Sequence, residues 1–338
     1  MNSTAFSRHR AKIIQAVREV QPATFTDTAL QLFRFQAEYN PLYREYLNLL
    51  TIDPQRVDDF TALPFLPIQF FKSHQIKTGN WQEKMIFTSS GTTAGTTARH
   101  YVYEPNFYLQ NCKLNWSENF GNVKNYCVLA LLPAYLEREG SSLIYMAEDF
   151  INASKYNQSG FFLYDVEKLS EKLKECRAKE IPTVLLGVSF ALLDFAEKYS
   201  LDLSNVMITE TGGMKGRRKE MTRSELHRIL CKSFNVSKIY SEYGMTELFS
   251  QAYSHGNGIF RTSSTLRVYT REITDPLTPQ KVGKTGAINI IDLANVDTCA
   301  FIATDDLGKV YADGSFEILG RTDASDVRGC NLLLTEIS

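Results

Sequence analysis

The sequence predicts an α/β fold with parallel strand pairing, and two observations carry that prediction. Short apolar runs at 126–132, 182–188, 206–209, 238–240 and 287–291 alternate with charged segments of helical period such as 165–179 and 219–233. A buried parallel strand reads as a continuous apolar run because both of its faces are covered, and such a strand needs a crossover helix to reach its neighbour. From about Phe260 the pattern changes to short β segments and turns, with Asp313-Gly314 between Lys309-Val310-Tyr311 and Ser315-Phe316-Glu317-Ile318 as a hairpin signal. That change predicts a smaller β subdomain.

Residues 1 to about 60 read as helices: Leu30, Phe33 and Ala37 recur at helical spacing, and Asp27 and Asp53-Pro54 mark helix starts. Leu63-Pro64-Phe65-Leu66-Pro67 must then run extended, since two prolines forbid a continuous helix. With no internal repeat, low-complexity tract or long linker, the chain reads as one domain over 1–338. Its parts are a helical region (1–60), an α/β core (61–259) and a β-rich portion (260–338).

With 338 residues and 43% hydrophobic content the chain can bury a large core. Its 37 basic and 38 acidic residues leave a formal net charge of -1, which provides no electrostatic footprint for nucleic acid or an anionic membrane surface. No apolar run reaches the roughly 18 residues that would span a bilayer, and the charged segment from Met1 to Gln21 has no continuous apolar stretch of the kind that directs secretion. The expected location is the cytoplasm, with no membrane insertion. Six scattered cysteines form no C-x-x-C pair, so neither a zinc site nor a disulfide framework is suggested.

The richest segment is Thr88-Ser89-Ser90-Gly91-Thr92-Thr93-Ala94-Gly95-Thr96-Thr97, directly after the apolar Met85-Ile86-Phe87. Glycines permit close backbone approach to an anion, and N–H groups with Ser and Thr hydroxyls can ring phosphate oxygens. It reads as a phosphate-gripping loop leaving a strand, although it lacks the Gly-Lys-Ser/Thr of a P-loop. Three further motifs follow: Tyr240-Ser241-Glu242-Tyr243-Gly244-Met245-Thr246-Glu247, then Thr304-Asp305-Asp306-Leu307-Gly308, then Gly320-Arg321-Thr322-Asp323.

In this order the four motifs resemble the signatures of the adenylate-forming superfamily of acyl-CoA synthetases, and within it the LuxE-type acyl-protein synthetases. The resemblance runs from about Leu63 to the C-terminus. It implies the fold of an adenylate-forming N-terminal domain, with mixed sheets, flanking helices and a smaller β subdomain. It also implies ATP and Mg²⁺ as cofactors, a carboxylic and most simply fatty acid as substrate, and a reductase or acyltransferase subunit as partner.

Residue by residue, the resemblance assigns Ser89, Ser90, Gly91, Thr92, Thr93 and Gly95 to the triphosphate. Gly212 and Gly213 of Thr211-Gly212-Gly213-Met214 go to the adenine side, and Tyr243 stacks near adenine while Gly244 allows a tight strand exit. Thr246 donates to phosphate, Glu247 holds Mg²⁺, Asp306 accepts from the ribose hydroxyls, and Arg321 reaches ribose or phosphate. The family closes its phosphate loop with Pro-Lys. Here the nearest cations are Arg99 and His100, with Arg99 either the substitute or a solvated charge.

Family members with free coenzyme A as acceptor continue into a mobile C-terminal domain bearing a catalytic lysine, and that domain is expected to be lacking after Ser338. The LuxE-type resemblance instead makes Cys330, beside Arg328, the acyl acceptor, since a thiolate attacks an acyl adenylate readily. A shortened acid:CoA ligase and a non-catalytic nucleotide- or acyl-binding subunit are the alternative readings.

Overall fold

The computed structural model describes residues 3–89, 97–133, 140–213, 218 and 221–321. The chain starts with three helices, α1 (Ser3–Arg18), α2 (Phe25–Tyr39) and α3 (Pro41–Leu49). In α2 the apolar positions Phe25, Ala29, Leu32, Phe33 and Ala37 fall three or four apart and are all buried, while Asp27 sits in the first turn, where a carboxylate favours the helix dipole. Asn40 caps α3 by accepting from the Tyr43 backbone N–H at 3.1 Å, with Pro41 in the first helical turn. The helix start read at Asp53-Pro54 is overturned. Asp53 accepts from the Gln55 N–H in a turn, and the following Gln55-Arg56-Val57-Asp58-Asp59 offers one apolar residue, too little to bury a helix face.

Then come β1 (Leu66–Pro67), the single turn α4 (Phe70–Ser73), the antiparallel pair β2 (Met85–Thr88) and β3 (Arg99–Val102), and α5 (Pro105–Phe120). The chain divides into two compact units, each discontinuous in sequence. One comprises 1–111, 246–250 and 262–338, and the other 112–245 and 251–261.

The second unit carries the predicted α/β alternation. β4 (Cys127–Leu131), α6 (Ser142–Ala153), β5 (Gly160–Phe161), α7 (Val166–Ala178), β6 (Thr183–Val188), α8 (Ser189–Lys198), β7 (Val206–Thr211), α9 (Arg223–Phe234) and β8 (Tyr240–Tyr243) follow one another. The strands lie in the order β5-β4-β6-β7-β8, all parallel, and β9 (Ala252–Ser254) then β10 (Ile259–Thr262) extend the sheet beyond β8. β9 is antiparallel to β8. Every residue of β4 and β6 is buried, as continuous apolar runs require. Asp165 caps α7, and Thr222 with Glu225 forms a capping box at α9, so this helix starts a few residues later than its charge pattern suggested.

In the first unit β11 (Leu266–Arg271), β12 (Gly286–Asp292), β13 (Phe301–Val310) and β14 (Phe316–Arg321) form an antiparallel meander, and β1 pairs parallel with β13. The predicted Asp-Gly turn joins β13 to β14: Gly314 has φ +80°, and Asp313 accepts from the Ser315 N–H at 3.0 Å.

Candidate functional site

The first motif opens a hairpin. Thr88 pairs with Arg99 across β2 and β3, the Ser89 N–H donates to the Ala98 carbonyl at 3.1 Å, and the Ala98 N–H donates to the Ser89 hydroxyl at 2.9 Å. The two strand ends are therefore clamped together where the hydroxyl-rich segment begins and ends. Ser90, Gly91, Thr92, Thr93 and Gly95 lie outside the described residues. Of the two nearby cations, Arg99 is exposed, whereas His100 is fully buried.

His100 is not a cation. Its Nδ1 lies 2.8 Å from the Thr246 carbonyl, which can only accept, so Nδ1 carries the proton and Nε2 accepts from the Thr298 hydroxyl at 3.0 Å. Burial pushes its pKa down to about 4, and the bond to Thr246 recovers only part of that fall. The imidazole is a neutral strut that holds the carbonyl of a motif residue.

That strut is one of several on the segment 246–250. Asn295 donates to the Glu247 carbonyl at 2.8 Å and Asn111 to the Phe249 carbonyl at 2.9 Å. Asp292 accepts from the N–H groups of Phe249 and Ser250 at 2.7 and 2.9 Å and from the Ser250 hydroxyl at 2.6 Å. An irregular buried backbone must find such partners, and here Thr246, Glu247, Phe249 and Ser250 find them in side chains from α5, β3, the last residue of β12 and the segment after it. Sequence reasoning missed His100, Asn111, Asp292 and Asn295 in this role. The only trace was polar residues closing the apolar run 287–291.

Held this way, Glu247 keeps its side chain 7% exposed and, among the described residues, in no ion pair. Burial pushes its carboxyl up to about 7; its own backbone hydrogen bond, Arg321 and Lys72 pull the other way, and Asp306 adds to the rise. The structure thus brings Glu247, Asp306 and Arg321 into one electrostatic neighbourhood. Half-buried Thr246 precedes Glu247 directly. Arg321 ends β14 with Nη2 3.6 Å from Asp305 and Nε 3.7 Å from Asp306, so its partners are these acids of β13. Asp305, at the family's glycine position, stays within β13 where the register with β12 shifts; Gln69 donates to its carboxylate and Arg321 lies beside it.

A buried carboxylate such as that of Glu247 suits a hard, oxygen-preferring metal. Among the described residues no group of three or more His, Cys, Asp or Glu forms a metal cage. Mg²⁺ fits that donor set, since it commonly takes one or two protein carboxylates and completes its shell with water and substrate oxygens.

The second unit brings together the remaining motif residues. β7 and β8 are parallel with Thr211 opposite Glu242, so Gly212 and Tyr243 leave the carboxyl ends of adjacent strands, the end at which open α/β sheets bind ligands. Gly212 has φ +69°, a left-handed conformation that favours glycine. At Gly244 a Cβ would touch the Gln251 stem at 3.5 Å and meet the Glu242 carboxylate, which would have to shift away from its place against Thr211. Gly212, Gly213 and Gly244 are exposed and Tyr243 is buried against Phe260. Of the basic residues after Gly213, Arg218 pairs with Asp194 and Glu197 on α8, while Lys215 and Arg217 lie outside the described residues.

Next to Tyr243, burial pushes the Glu242 carboxyl up to about 7, opposed by the Thr211 hydroxyl and reinforced by Glu210. The folded protein therefore holds this proton more tightly than the unfolded chain, whose carboxyl has the ordinary 4.5. The stability so gained is complete below pH 4.5 and is lost as pH rises to about 7. Glu242→Gln, which can still accept from Thr211, is expected to exceed the parent in stability at pH 8 by on the order of 3 kcal/mol. Urea midpoints at pH 8 and below pH 5 check this, and equal differences at both would exclude Glu242 as the titrating group.

Cys112, Cys127, Cys176 and Cys299 are buried and Cys231 is partly so, the places of small hydrophobic side chains. Cys330 lies outside the described residues. No helix of the described residues is long and apolar enough to cross a membrane.

Comparison with known proteins places these features in a family. The family model "Acyl-protein synthetase, LuxE" matches residues 143–337, more than half of the chain. A long-chain-fatty-acid–luciferin-component ligase of Vibrio harveyi is 22% identical over 342 residues, covering 90% of this chain and 85% of that relative. Among solved structures, ATP-bound MatB from Rhodopseudomonas palustris aligns with a TM-score of 0.55 and 18% identity over 72% of this chain. A 2-hydroxyisobutyryl-CoA ligase with 2-HIB-AMP aligns with a TM-score of 0.65 and 11% identity over 90% of this chain and 69% of its own. The chain spans about half, 49%, of the length of MatB. At these identities the structural likeness shows the fold, a mixed α/β architecture with flanking helices shared with adenylate-forming enzymes. Together with the family match, it follows that the chain belongs to the LuxE family of acyl-protein synthetases, enzymes of the adenylate-forming ligase class.

Proposed function

We propose that this protein activates a fatty acid with Mg·ATP to give acyl-AMP and pyrophosphate, and then takes the acyl group onto Cys330 as a thioester for delivery to a reductase or acyltransferase partner. The observation that carries the first step is the gathering of Glu247, Asp306 and Arg321, with Glu247 buried and in no ion pair among the described residues. The family match and the fold shared with ATP-bound MatB support ATP-driven acyl activation.

In this reading Ser89 to Gly95 and Thr246 supply donors to the phosphates, and Glu247 holds Mg²⁺, which screens the charge of the leaving pyrophosphate. Asp306, paired with Arg321, accepts from the ribose hydroxyls. Gly212, Gly213 and Tyr243 flank adenine. A carboxylate oxygen bonds to the α-phosphorus as the bond to pyrophosphate breaks. The thiolate of Cys330 then attacks the acyl carbonyl and AMP departs.

Intact-protein mass spectrometry after incubation with ATP, Mg²⁺ and a panel of acids tests both steps. A hydroxylamine-labile acyl increment is expected. AMP release only when coenzyme A is added would replace the acceptor by a free thiol, and nucleotide binding without acid-dependent pyrophosphate exchange would leave a non-catalytic subunit.

A further inference from the structure

Adenylation concentrates negative charge on the α-phosphoryl group as the acid attacks it, so a cation that meets those oxygens contributes directly to rate. Three charged residues act on the Glu247 carboxylate: Arg321 from the end of β14, Asp306 from β13 and Lys72 from α4. Arg321 is engaged with Asp305 and Asp306. Lys72 is exposed, and among the described residues its ammonium makes neither a hydrogen bond nor an ion pair. His100, the other basic residue close to this segment, is neutral and buried.

An exposed lysine is ordinarily a solvated charge on a free stem. Lys72 differs in how firmly its backbone is tied to the motif residues. On one side Gln69 donates to the Asp305 carboxylate, and the Ile68 N–H donates to the Ala303 carbonyl at 2.9 Å, fixing α4 to the strand that bears Asp306. Toward the other side Phe71, 1% exposed, packs edge-on against His100 with ring centroids 5.7 Å apart. His100 in turn grips the Thr246 carbonyl. Two anchors of this one-turn helix thus reach the motif residues, one at Asp305 beside Asp306 and one at His100, which holds Thr246.

From this geometry we propose that Lys72 is a catalytic residue whose ammonium contacts a non-bridging oxygen of the α-phosphoryl group while the acid displaces pyrophosphate. The inference rests on the ATP-activation reading given above. Covalent connectivity places the anion: the α-phosphate joins the ribose, assigned to Asp306, to the phosphates whose metal Glu247 holds, and Lys72 acts on this same region. The electron pair moves from carboxylate to phosphorus to pyrophosphate, and no proton is transferred. A compact ammonium on a long stem suits a phosphoryl oxygen that shifts during reaction, whereas the Arg321 guanidinium is already committed to two acids.

The test compares Lys72→Met and Lys72→Arg with the parent in the full chain. Lys72→Met is expected to lower acid-dependent ATP–pyrophosphate exchange on the order of 10²-fold, with an unchanged melting temperature because the side chain is exposed. It should weaken AMP binding roughly tenfold and leave adenosine binding untouched, since only AMP carries the phosphoryl group. Lys72→Arg should recover most of both. Unaltered exchange in Lys72→Met, or equal weakening of adenosine and AMP, overturns the assignment. A parent protein that shows no acid-dependent exchange defeats the activation reading instead, and the AMP–adenosine pair, which needs no turnover, then judges Lys72 alone.

Discussion

Glu247→Gln is expected to leave the protein folded and to lower acid-dependent pyrophosphate exchange by about 10²- to 10³-fold, the usual cost of removing one electrostatic group from a reaction centre. The fold does not depend on this carboxylate. The segment around it is held through backbone groups, by His100 at Thr246, by Asn295 at Glu247 itself and by Asp292 at Phe249 and Ser250. The carboxyl itself is buried without an ion pair among the described residues. Burying an unpaired charge is unfavourable, so the neutral amide should melt no lower than the parent. A folded variant with parental exchange would remove Glu247 from the site, and a variant that fails to fold would show that its role is structural.

Cys330→Ser separates the two half-reactions. Exchange should persist at the parental rate, because Thr92, Thr246, Glu247 and Asp306 are all intact. The hydroxylamine-labile acyl-enzyme should disappear, since a serine hydroxyl with no assigned base is a far weaker nucleophile than a thiolate. Radiolabelled fatty acid with ATP, followed by mapping of the labelled peptide, measures this. Four other cysteines, Cys112, Cys127, Cys176 and Cys299, are buried, and burial pushes the Cys299 thiol up to about 12, which leaves it un-ionised. Undiminished labelling in the variant, or label on a different cysteine, would move the acceptor away from Cys330.

On the proposed reading, these variants and Lys72→Met would divide the chemistry by residue: metal and leaving group at Glu247, phosphoryl charge at Lys72, acyl capture at Cys330. Only the last should spare exchange. That pattern distinguishes a damaged adenylation centre from a missing acceptor without reference to the rate of any partner.

Much of this was legible in the sequence because it depends on near neighbours. Continuous apolar runs marked β4, β6 and β7; the Asp-Gly turn marked the β13–β14 hairpin; Gly212 marked a left-handed backbone position that favours glycine, and Gly244 a strand exit crowded by the Glu242 carboxylate. Motif order alone pointed to the family that the comparison then showed. Strand period, turn chemistry and glycine permissiveness are short-range properties, fixed within a few residues of the chain.

Protonation and positioning depended on distant residues and were decided only by tertiary structure. His100 reads as a cation beside a phosphate loop, yet its partner Thr246 lies 146 residues away, and burial there makes it a neutral strut. Asp292 and Asn111 look like ordinary polar residues until the fold closes them around Phe249 and Ser250. Lys72 stands outside all four motifs, and the packing of Phe71 against His100 and the bond from Gln69 to Asp305 tie its helix to the residues around Thr246 and Asp306. Desolvation and electrostatic neighbourhood arise from what surrounds a group in space, so the sequence determined which chemistry the chain carries, and the tertiary structure decided which residues are charged and which of them meet.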